Sequence, residues 1–557
     1  MMPGDEVVTA HLATDADAHG PDAALQRSRR LDWRFALADP NPGRVGYAGP
    51  PDPELIAAMR DAGWRVTDIE PGEGVGSARS ADLDLVVVAE PDGGRLAAAS
   101  RSLRKGGSIH VTCDGLASGR PRHGRRLDAV EVRRRLERLG FSDLRTFVDV
   151  PRRSGRSAIV PLAEPDALRS LLRRHGGPVA AQPVVLLAEG LRRSGWLARL
   201  APSVSVVGRM GPTTGQPADA VTAYLAGLCG DTALPAPILL TPSFRASRHV
   251  VALVPGDLSD SPRLVAKLAR RPDGDAVARR EAAMLHELGT MGSPLADIAP
   301  RLIADDRRWG LSVLVETGVE GRPLDPGTVS RDPAAAVDRV IDGLVALASP
   351  VATVARAQAP APAATRIDRL ALGPLDGFAA ALPATPDEEH LIEITRQIIR
   401  SMRGADLPEV IEHGDVSHPN LFVGADDRLI AVDWELGVRH GLPAHDLVGF
   451  LGYVAEASVR RGRGDRRAEA LVAAIGEHGG WHDMAMETYA ARIDLDPTLL
   501  PALTVMSWAR RVVGIAERLH DGRPATLAST TVDFLRGHRW IHAWRAAVER
   551  ATDGQVR

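Results

Sequence analysis

Short apolar runs alternate with amphipathic stretches along the chain from residue 44 to about residue 210. The runs have the length and the Val, Leu and Ile content of buried strands, and the stretches between them have the apolar spacing of helices. They predict a short strand running into a glycine turn at 44–49, strands at 64–68, 83–88 and 107–111, and helices at 54–62, 94–103 and 129–139. Strands that alternate with helices predict a parallel, doubly wound α/β sheet of the Rossmann-like class.

The pattern changes from residue 237, where most consecutive strands are no longer separated by a helix. Strands are predicted at 238–240, 249–254, 264–268 and 311–316, with one helix at 278–288. Most of the remaining chain is helical, with segments at 334–348, 388–402, 503–519 and 532–551, and an Ala/Pro connector at 357–364. This order predicts an α+β domain with a strand-rich lobe at 237–325 and a helical lobe with an insertion at 326–557.

Two segments have weaker patterns. Residues 1–40 are rich in Ala, Asp, Gly and Arg without a sustained period, which predicts a flexible N-terminus. Residues 212–236 contain Gly, Pro and Thr clusters around one helical stretch at 218–228, which predicts a linker. The α/β domain is therefore placed at 41–211.

Amino-acid composition and net charge bear on which kinds of molecule the protein binds. The 557 residues are 44% hydrophobic and 25% charged, with a formal net charge of −3. This balance gives no reason to expect nucleic acid or a membrane surface as a partner. The two cysteines, Cys113 and Cys229, lie far apart without metal-ligand spacing, so we expect free thiols in a reducing cytoplasm. Nothing in the sequence indicates the oligomeric state.

Candidate chemistry is concentrated between residues 410 and 435. Asp415, Asn420 and Asp433 follow or precede short apolar runs, a strand–loop–strand–turn–strand pattern that brings them together. Phosphoryl transfer needs one carboxylate to orient an acceptor hydroxyl, and oxygen ligands that hold Mg²⁺ on nucleotide phosphates. Converging carboxylates would repel without a cation, which favours Mg²⁺ here.

Rare residue types support the same segment. The chain has two asparagines, Asn41 and Asn420, and two lysines, Lys105 and Lys267. One asparagine falls in the acidic segment. One lysine falls in the strand Leu-Val-Ala-Lys-Leu at 264–268, where a compact ammonium is not replaced by Arg.

The segment His-Gly-Asp at 413–415, with Asn420 and the later Asp-Trp-Glu at 433–435, resembles the aminoglycoside phosphotransferase and choline kinase branch of the protein-kinase-like fold. The resemblance implies a bilobal kinase-like domain that uses ATP and Mg²⁺. It implies Asp415 as the catalytic carboxylate and Asn420 and Asp433 as metal ligands. For the nucleotide it implies a lysine held by an acidic partner, a phosphate loop, and hinge main-chain groups facing the adenine: Lys267, Glu281, Ser243, Ser247, Glu316 and Val319.

The sequence Leu-Arg-Lys-Gly-Gly-Ser-Ile at 103–109 resembles a turn of class I methyltransferases. The loop where that family binds its cofactor is Gly-Tyr-Ala-Gly-Pro-Pro at 46–51, with no acidic residue before it and two prolines in it. We therefore expect a degenerate methyltransferase-like domain that does not bind S-adenosylmethionine.

The leading hypothesis is an ATP-dependent phosphotransferase that acts on a hydroxyl of a small molecule: an aminosugar, a sugar, an amino alcohol or a biosynthetic metabolite. Because the predicted phosphate loop at 241–248 contains no glycine, a catalytically weak scaffold of two degenerate domains is an alternative. A bifunctional methyltransferase–kinase is the other. The motif leaves the acceptor open.

Overall fold

The computed structural model describes residues 21–70, 82–115, 127–152, 155–164, 167, 189–212, 219–242, 247–256, 261–272, 275–293, 295–354, 362–459, 464–520 and 524–553. The chain divides into two compact units. The first comprises Ala23–Ala278 and Ile303–Gly318, and the second contains Arg279–Leu302 and Val319–Arg557.

The first unit is built on a sheet of twelve strands in the order β11-β12-β10-β9-β8-β6-β5-β7-β4-β3-β1-β2. The strands are β1 (Arg44–Ala48), β2 (Arg65–Asp68), β3 (Leu83–Ala89), β4 (Leu103–Asp114), β5 (Phe141–Arg152), β6 (Gly155–Pro161), β7 (Ser203–Met210), β8 (Ile238–Leu240), β9 (His249–Pro255), β10 (Pro262–Ala269), β11 (Leu302–Arg308) and β12 (Leu311–Thr317). Its helices are α1 (Pro21–Ser28), a 3₁₀ helix (Arg29–Ala36), α2 (Pro53–Asp61), α3 (Gly93–Ser102), α4 (Ala129–Arg138), α5 (Leu197–Leu200) and α6 (Ala220–Cys229), and α7 (Asp275–Thr290) begins in it.

Strands β2, β1, β3 and β4 are parallel, as the strand–helix alternation predicted. Helices α2, α3 and α4 follow β1, β3 and β4 in the chain, and each begins at an Asp whose side chain accepts from a backbone N–H of the first turn. The doubly wound class is confirmed. Strand β7 then pairs antiparallel with β4, and β5 pairs antiparallel with β7, so β5 runs in the same direction as β4.

The sheet does not stop there. Strand β6 pairs with β5 on one side and with β8 on the other, with Ala158 opposite Leu240 and Ile159 opposite Leu239. The antiparallel strands β8, β9, β10, β12 and β11 of the α+β part are thus a continuation of the α/β sheet. The boundary predicted between residues 211 and 237 falls inside one sheet and one compact unit, so the structure corrects the separation predicted there.

Two predictions of irregular structure are also corrected. Within the predicted flexible N-terminus, residues from Pro21 to Ala36 are helical, and Leu31, Trp33 and Phe35 are buried. Within the predicted linker, α6 buries Val221 and Leu225 in the same core. That core also includes residues of β1, β9, β10 and β12, so both segments hold the two parts of the sheet together. Residues 1–20 lie outside the described part of the chain.

A buried ion pair fixes the 3₁₀ helix to Arg270, the residue that follows β10. Arg270 donates from Nε and Nη2 to the two carboxylate oxygens of Asp32, both at 2.8 Å, and both side chains are 1% exposed. Arg34 donates to the carbonyl oxygen of Arg270 at 2.6 Å. Burial lowers the pKa of Arg34 to about 10. The segment therefore carries a charged network into the interior of the first unit.

Substituting Asp32→Asn should destabilise the chain by about 3–5 kcal/mol, because the Arg270 guanidinium would stay buried without its carboxylate. The matched control is Asp82→Asn, which removes the exposed partner of Arg44 and should cost at most about 1 kcal/mol. Urea denaturation of both variants measures the difference. Equal losses in the two variants would contradict the assignment.

The second unit is mainly helical. Its helices are the rest of α7, then α8 (Pro326–Arg331), α9 (Pro333–Val354), α10 (Ala363–Ile367), α11 (Gly373–Ala381), α12 (Pro386–Ser401), α13 (His445–Ala457), α14 (Gly464–Gly476), α15 (Trp481–Arg492), α16 (Leu500–Leu519), α17 (Ser529–Arg536) and α18 (Arg539–Asp553), with a π-helical turn at Asp368–Leu372. Short 3₁₀ helices lie at Leu295–Asp297, Met402–Gly404, Trp434–Leu436 and Pro497–Leu499. Its strands are β13 (Arg322–Pro323), β14 (Val410–Glu412), β15 (Leu421–Val423), β16 (Leu429–Ala431) and β17 (Val438–Gly441).

The strands of this unit form two small sheets, β13-β15-β16 and β14-β17. With the antiparallel strands and α7, this helical unit confirms the α+β kinase-like class. The single helix predicted at 532–551 is wrong, because Gly537 ends α17 and α18 begins at Arg539. Among the described residues, one helical stretch, Pro497–Leu519, is long and apolar enough to span a membrane, but 72% of its apolar window is buried inside the protein.

The N-terminus of α12 is fixed by a partly buried ion pair. Glu388 completes a capping box with Thr385 and also accepts from Arg536 at 2.8 and 3.0 Å. The Arg536 hydrogen bond is the main reason that the pKa of Glu388 falls from 4.5 to about 2. The stabilisation is therefore fully present above pH 4.5 and is lost as the pH falls towards about 2.

Glu388→Gln should lower the free energy of unfolding by about 1 kcal/mol at pH 7, and the difference from wild type should vanish near pH 2. Denaturation at a series of pH values measures it. The exposed control Glu393→Gln should change stability by less than about 0.5 kcal/mol. A Glu388→Gln difference that stays constant down to pH 2 would contradict the ion pair.

Candidate active site

The loop between β14 and β15 carries His413, Gly414, Asp415 and Asn420. Asp446, in the first turn of α13, accepts from the backbone N–H of His413 at 2.6 Å and of Gly414 at 2.8 Å. Its carboxyl group is buried, and burial followed by the Glu412 carboxylate raises the pKa of Asp446. The start of the loop is therefore held by one buried carboxyl group.

Gly414 has φ 88°, a backbone conformation that favours glycine. A Cβ atom at this position would lie 2.7 Å from Cβ and 2.8 Å from the carbonyl oxygen of Leu436. The larger residue that protein kinases carry before the catalytic Asp does not fit here. The glycine in His-Gly-Asp is thus required by the local backbone and by the turn after Asp433.

His413 is completely buried and braces two parts of the site. Its Nδ1 accepts from the backbone N–H of Asp415 at 3.2 Å, so the proton lies on Nε2, which contacts the carbonyl oxygen of Val432 at 2.9 Å. Its ring lies edge-on to Trp434, with centroids 4.6 Å apart. The histidine connects the loop of Asp415 with the residues on either side of Asp433.

Asp415 and Asn420 are in direct contact. Asn420 donates from Nδ2 to the carbonyl oxygen of Asp415 at 3.1 Å and to Oδ2 of Asp415 at 3.3 Å. The Ser417 hydroxyl donates to Oδ1 of Asp415 at 3.0 Å. These hydrogen bonds orient the carboxylate, and the Asn420 amide oxygen is the atom left for a metal.

The hairpin of β15 and β16 brings Asp433 to the same place. Leu421 lies opposite Ala431, and the Val432 N–H donates to the carbonyl oxygen of Asn420 at 2.9 Å. Asp433 is the next residue and adopts a left-handed backbone, with φ 70° and ψ 60°. Asn420 and Asp433 are thirteen residues apart in sequence. Because Val432 pairs with Asn420 across the hairpin, the backbones of the two predicted metal ligands are close together.

Glu281, predicted as the partner of Lys267, contacts the turn after Asp433. Its Oε1 accepts from the backbone N–H of Trp434 at 3.0 Å, and its side chain is 2% exposed. Trp434 is fully buried and donates from Nε1 to the carbonyl oxygen of Ala431 at 2.8 Å. Glu281 thus helps to fix the left-handed turn, a role that the sequence did not reveal. Its pairing with Lys267 stays a prediction.

Lys267 and Glu316 lie in the first unit on β10 and β12. Lys267 lies opposite Leu314, and Glu316 lies opposite Val265, so both side chains are on one face of the sheet as diagonal neighbours. Both are buried, at 8% and 3% exposure. One buried face of the sheet therefore carries both an ammonium group and a carboxylate. The resemblance implied only main-chain contacts for Glu316.

Three further residues, Ser247, Val319 and Ser243, were predicted to bind the nucleotide. Ser247 donates from its hydroxyl to the carbonyl oxygen of His249 at 3.3 Å, and its own carbonyl oxygen accepts from Arg270. Val319 is half-buried, just after β12. Ser243 lies outside the described residues.

Two arginines that the sequence analysis did not single out lie close to the catalytic loop. Arg510 donates to both carboxylate oxygens of Glu412, at 3.0 and 2.7 Å. Its neighbour Arg511 is buried, and Asp415 and Asp446 are the carboxylates that raise its pKa, while burial lowers it more strongly. The signal was an Arg-Arg pair in the middle of the apolar helix α16.

Across the described part of the chain, no three His, Cys, Asp or Glu side chains cluster closely enough to form a preformed metal site. That agrees with the donor set here, one carboxylate and one amide oxygen. Mg²⁺ in phosphoryl-transfer sites takes one or two protein oxygens and completes its shell with water and phosphate oxygens. Asn420 and Asp433 fit such a site.

Residues 245–486 match the family described as phosphotransferase enzyme family. No curated protein matches the chain.

Solved structures with a similar arrangement include choline kinase LicA from Streptococcus pneumoniae, with 11% identity, coverage of 60% of this chain and 98% of that chain, and a TM-score of 0.35. Plasmodium vivax ethanolamine kinase has 11% identity, coverage of 61% and 89%, and a TM-score of 0.37. A SAM-dependent methyltransferase from Archaeoglobus fulgidus has 14% identity, coverage of 33% and 92%, and a TM-score of 0.23. Residues 245–486 carry a domain of the phosphotransferase enzyme family.

Proposed function

We propose that the chain is an ATP-dependent phosphotransferase that transfers the γ-phosphoryl group to a hydroxyl of a small molecule. The main support is the fixed carboxylate of Asp415, which accepts a hydrogen bond from Asn420. Asn420 in turn pairs through its backbone with Val432, the residue before Asp433. A fixed carboxylate beside two oxygen ligands suits an acceptor hydroxyl on one side and a metal-bound phosphate on the other. The match of residues 245–486 to the phosphotransferase family supports the same reaction class.

Each residue has a separate role in this proposal. Asp415 accepts the hydrogen bond of the acceptor hydroxyl and takes its proton as the new P–O bond forms and the bond from the γ-phosphorus to the bridging oxygen breaks, releasing ADP. Asn420 and Asp433 hold Mg²⁺, which when bound neutralises charge on the nucleotide phosphates. Lys267 binds the α- and β-phosphates, with Glu281 as its partner, and Ser243 and Ser247 belong to the loop over the phosphates. Main-chain groups from Glu316 to Val319 face the adenine.

We also propose that the α/β part of the sheet does not bind S-adenosylmethionine. The loop after β1 is closed by its own residues, because the Tyr47 hydroxyl donates to the carbonyl oxygen of Pro50 at 2.7 Å. A Cβ at Gly49 would lie 2.8 Å from the Tyr47 hydroxyl and 2.9 Å from the Ala89 Cβ. A cofactor that needs close approach to this backbone does not fit. The shared sheet supports a structural role for this part. We further propose that the enzyme is cytoplasmic and has no nucleic-acid or membrane partner.

Transfer of label from Mg·[γ-³²P]ATP to a library of small hydroxyl compounds tests the reaction. We expect the label in a small-molecule product that remains in solution after the protein has been removed. Folded protein that binds Mg·ATP and labels no compound would favour the scaffold alternative. A methylated product formed from S-adenosylmethionine would instead favour the bifunctional alternative.

A further inference from the structure

Helix α7 lies along the segment that follows Asp433, the predicted metal ligand. Three of its side chains contact this segment and are spaced three residues apart, along one side of the helix: Glu281, Met284 and Glu287. Glu281 accepts from the Trp434 N–H at 3.0 Å. Met284 packs closely against Gly437, where a Cβ would lie 2.9 Å from Met284 Cγ. The helix therefore supports the turn at successive positions.

The third contact is an ion pair. The Arg439 guanidinium lies against the Glu287 carboxylate, and the two side chains are 36% and 23% exposed. Arg439 belongs to β17, which pairs with β14 so that Val438 lies opposite Glu412. Strand β14 leads directly into the loop of Asp415. The ion pair thus fixes α7 to the pair of strands from which the catalytic loop extends.

The chain after α7 bonds to the strand on the other side of Asp433. The N–H of Ala431, at the end of β16, donates to the carbonyl oxygen of Ile298 at 2.7 Å. Arg428, just before β16, donates to Asp297 at 3.0 Å. The residues before and after Asp433 are therefore both held by one part of the chain, from α7 to Ile298.

Asp433 needs such support because its backbone is left-handed, with φ 70° and ψ 60°. That conformation is unfavourable for a residue with a Cβ and persists only where surrounding contacts impose it. The catalytic loop also meets this turn, since a Cβ at Gly414 would lie 2.7 Å from Leu436 Cβ. A ligand that is held in place beforehand binds a metal more tightly, because less conformational freedom is lost on binding.

We propose that Arg439 and Glu287 are positioning residues for the metal ligand Asp433. The ion pair keeps α7 against the turn, and α7 keeps Glu281 on the Trp434 N–H, which holds Asp433 in its left-handed conformation. The inference rests on the proposed function and adds two residues that act on the metal site from outside it.

This ion pair is the part of the α7 contact that can be changed by itself. Glu281 is the proposed partner of Lys267, and Met284 is buried, so substitutions there would alter the nucleotide site or the core. Arg439 and Glu287 have no proposed contact with nucleotide or metal. A change in metal affinity when they are altered therefore reports on positioning.

Charge reversal across the pair tests the proposal on the full chain. Arg439→Glu places a second carboxylate against Glu287, and adding Glu287→Arg restores a pair of opposite charges. The affinity for the non-hydrolysable ATP analogue AMP-PNP is measured by calorimetry with Mg²⁺ and with EDTA, and the ratio of the two affinities gives the contribution of the metal. Arg439→Glu should lower this ratio by about tenfold with the affinity in EDTA unchanged. The doubly substituted chain should recover most of the ratio, and Arg439→Gln should lower it by about threefold.

The control is Arg339→Glu, which reverses a charge in the ion pair with Asp427 at the opposite end of the β15–β16 hairpin from Asp433. It should keep the wild-type ratio. A wild-type ratio in Arg439→Glu and Arg439→Gln would overturn the proposal, even with a lower Tm, because the pair would then act on stability alone. A ratio that the double substitution does not recover would overturn it as well. Failure of the proposed function looks different, since wild type itself would then bind AMP-PNP equally with Mg²⁺ and EDTA, or not at all, and both proposals would fall.

Discussion

Asp415→Asn should reduce turnover by about 10²- to 10⁴-fold, the usual loss when a positioned proton acceptor is removed. The asparagine keeps the size of the side chain and can still accept from the Ser417 hydroxyl, which now donates to Oδ1 of Asp415 at 3.0 Å. It cannot take a proton from the acceptor. Because the metal ligands and Lys267 are unchanged, affinity for Mg·ATP should stay close to that of wild type. Single-turnover transfer and equilibrium nucleotide binding measure the two quantities separately.

The matched control for this variant is Asp427→Asn. Asp427 lies in the turn of the same β15–β16 hairpin, is 64% exposed and pairs with Arg339 at 2.9 Å. Its φ of 63° is one that asparagine tolerates. This control should retain wild-type turnover. Wild-type-like turnover in Asp415→Asn itself would remove Asp415 from the mechanism.

Gly414→Ala should lower both stability and turnover. The positive φ alone costs about 1–3 kcal/mol for a residue with a side chain. In addition the new Cβ would meet the backbone of Leu436 at 2.8 Å, so either the catalytic loop or the turn after Asp433 must move. A displacement of about 1 Å at a reacting group is enough to cost about 100-fold in rate. Thermal unfolding and transfer kinetics measure the two effects.

Gly514→Ala provides the comparison, because Gly514 lies within α16 and a Cβ there meets nothing within 4 Å. It should raise stability by up to about 1 kcal/mol through better helix propensity, with turnover unchanged. If Gly414→Ala were as stable and as active as this control, the close approach of the loop to Leu436 would not matter for the site.

The site was predictable where local pattern determines local geometry. Asp415, Asn420 and Asp433 are brought together by one loop and one hairpin, and the apolar residues that flank them specify both strands. The other asparagine, Asn41, has a structural role: its side chain accepts from Trp64 Nε1 and donates to the carbonyl oxygen of Trp309, both at 3.1 Å. Scarcity of lysine is a weaker guide, since Lys105 is an exposed residue of β4.

The parts that sequence reasoning missed depend on long-range contacts. The pairing of β6 with β8 joins strands about eighty residues apart, and nothing in either strand names its partner. Residues 31–36 of the 3₁₀ helix show no polar face, because Asp32 and Arg34 are buried along with Leu31, Trp33 and Phe35. A segment buried on all sides shows no hydrophobic period, so it resembled a flexible lead-in. The same holds for Arg511, whose surroundings come from α13 and α18.

Ligand-induced stabilisation tests the central claim most directly, because it needs no knowledge of the acceptor. Thermal unfolding of the full chain is measured with Mg·ATP, with ATP in the presence of EDTA, and with S-adenosylmethionine, in wild type and in Asp433→Asn. The account predicts a rise in Tm with Mg·ATP in wild type that depends on the metal and is lost in Asp433→Asn, and no rise with S-adenosylmethionine. A wild-type Tm that does not respond to Mg·ATP, or an equal response in Asp433→Asn, would contradict it.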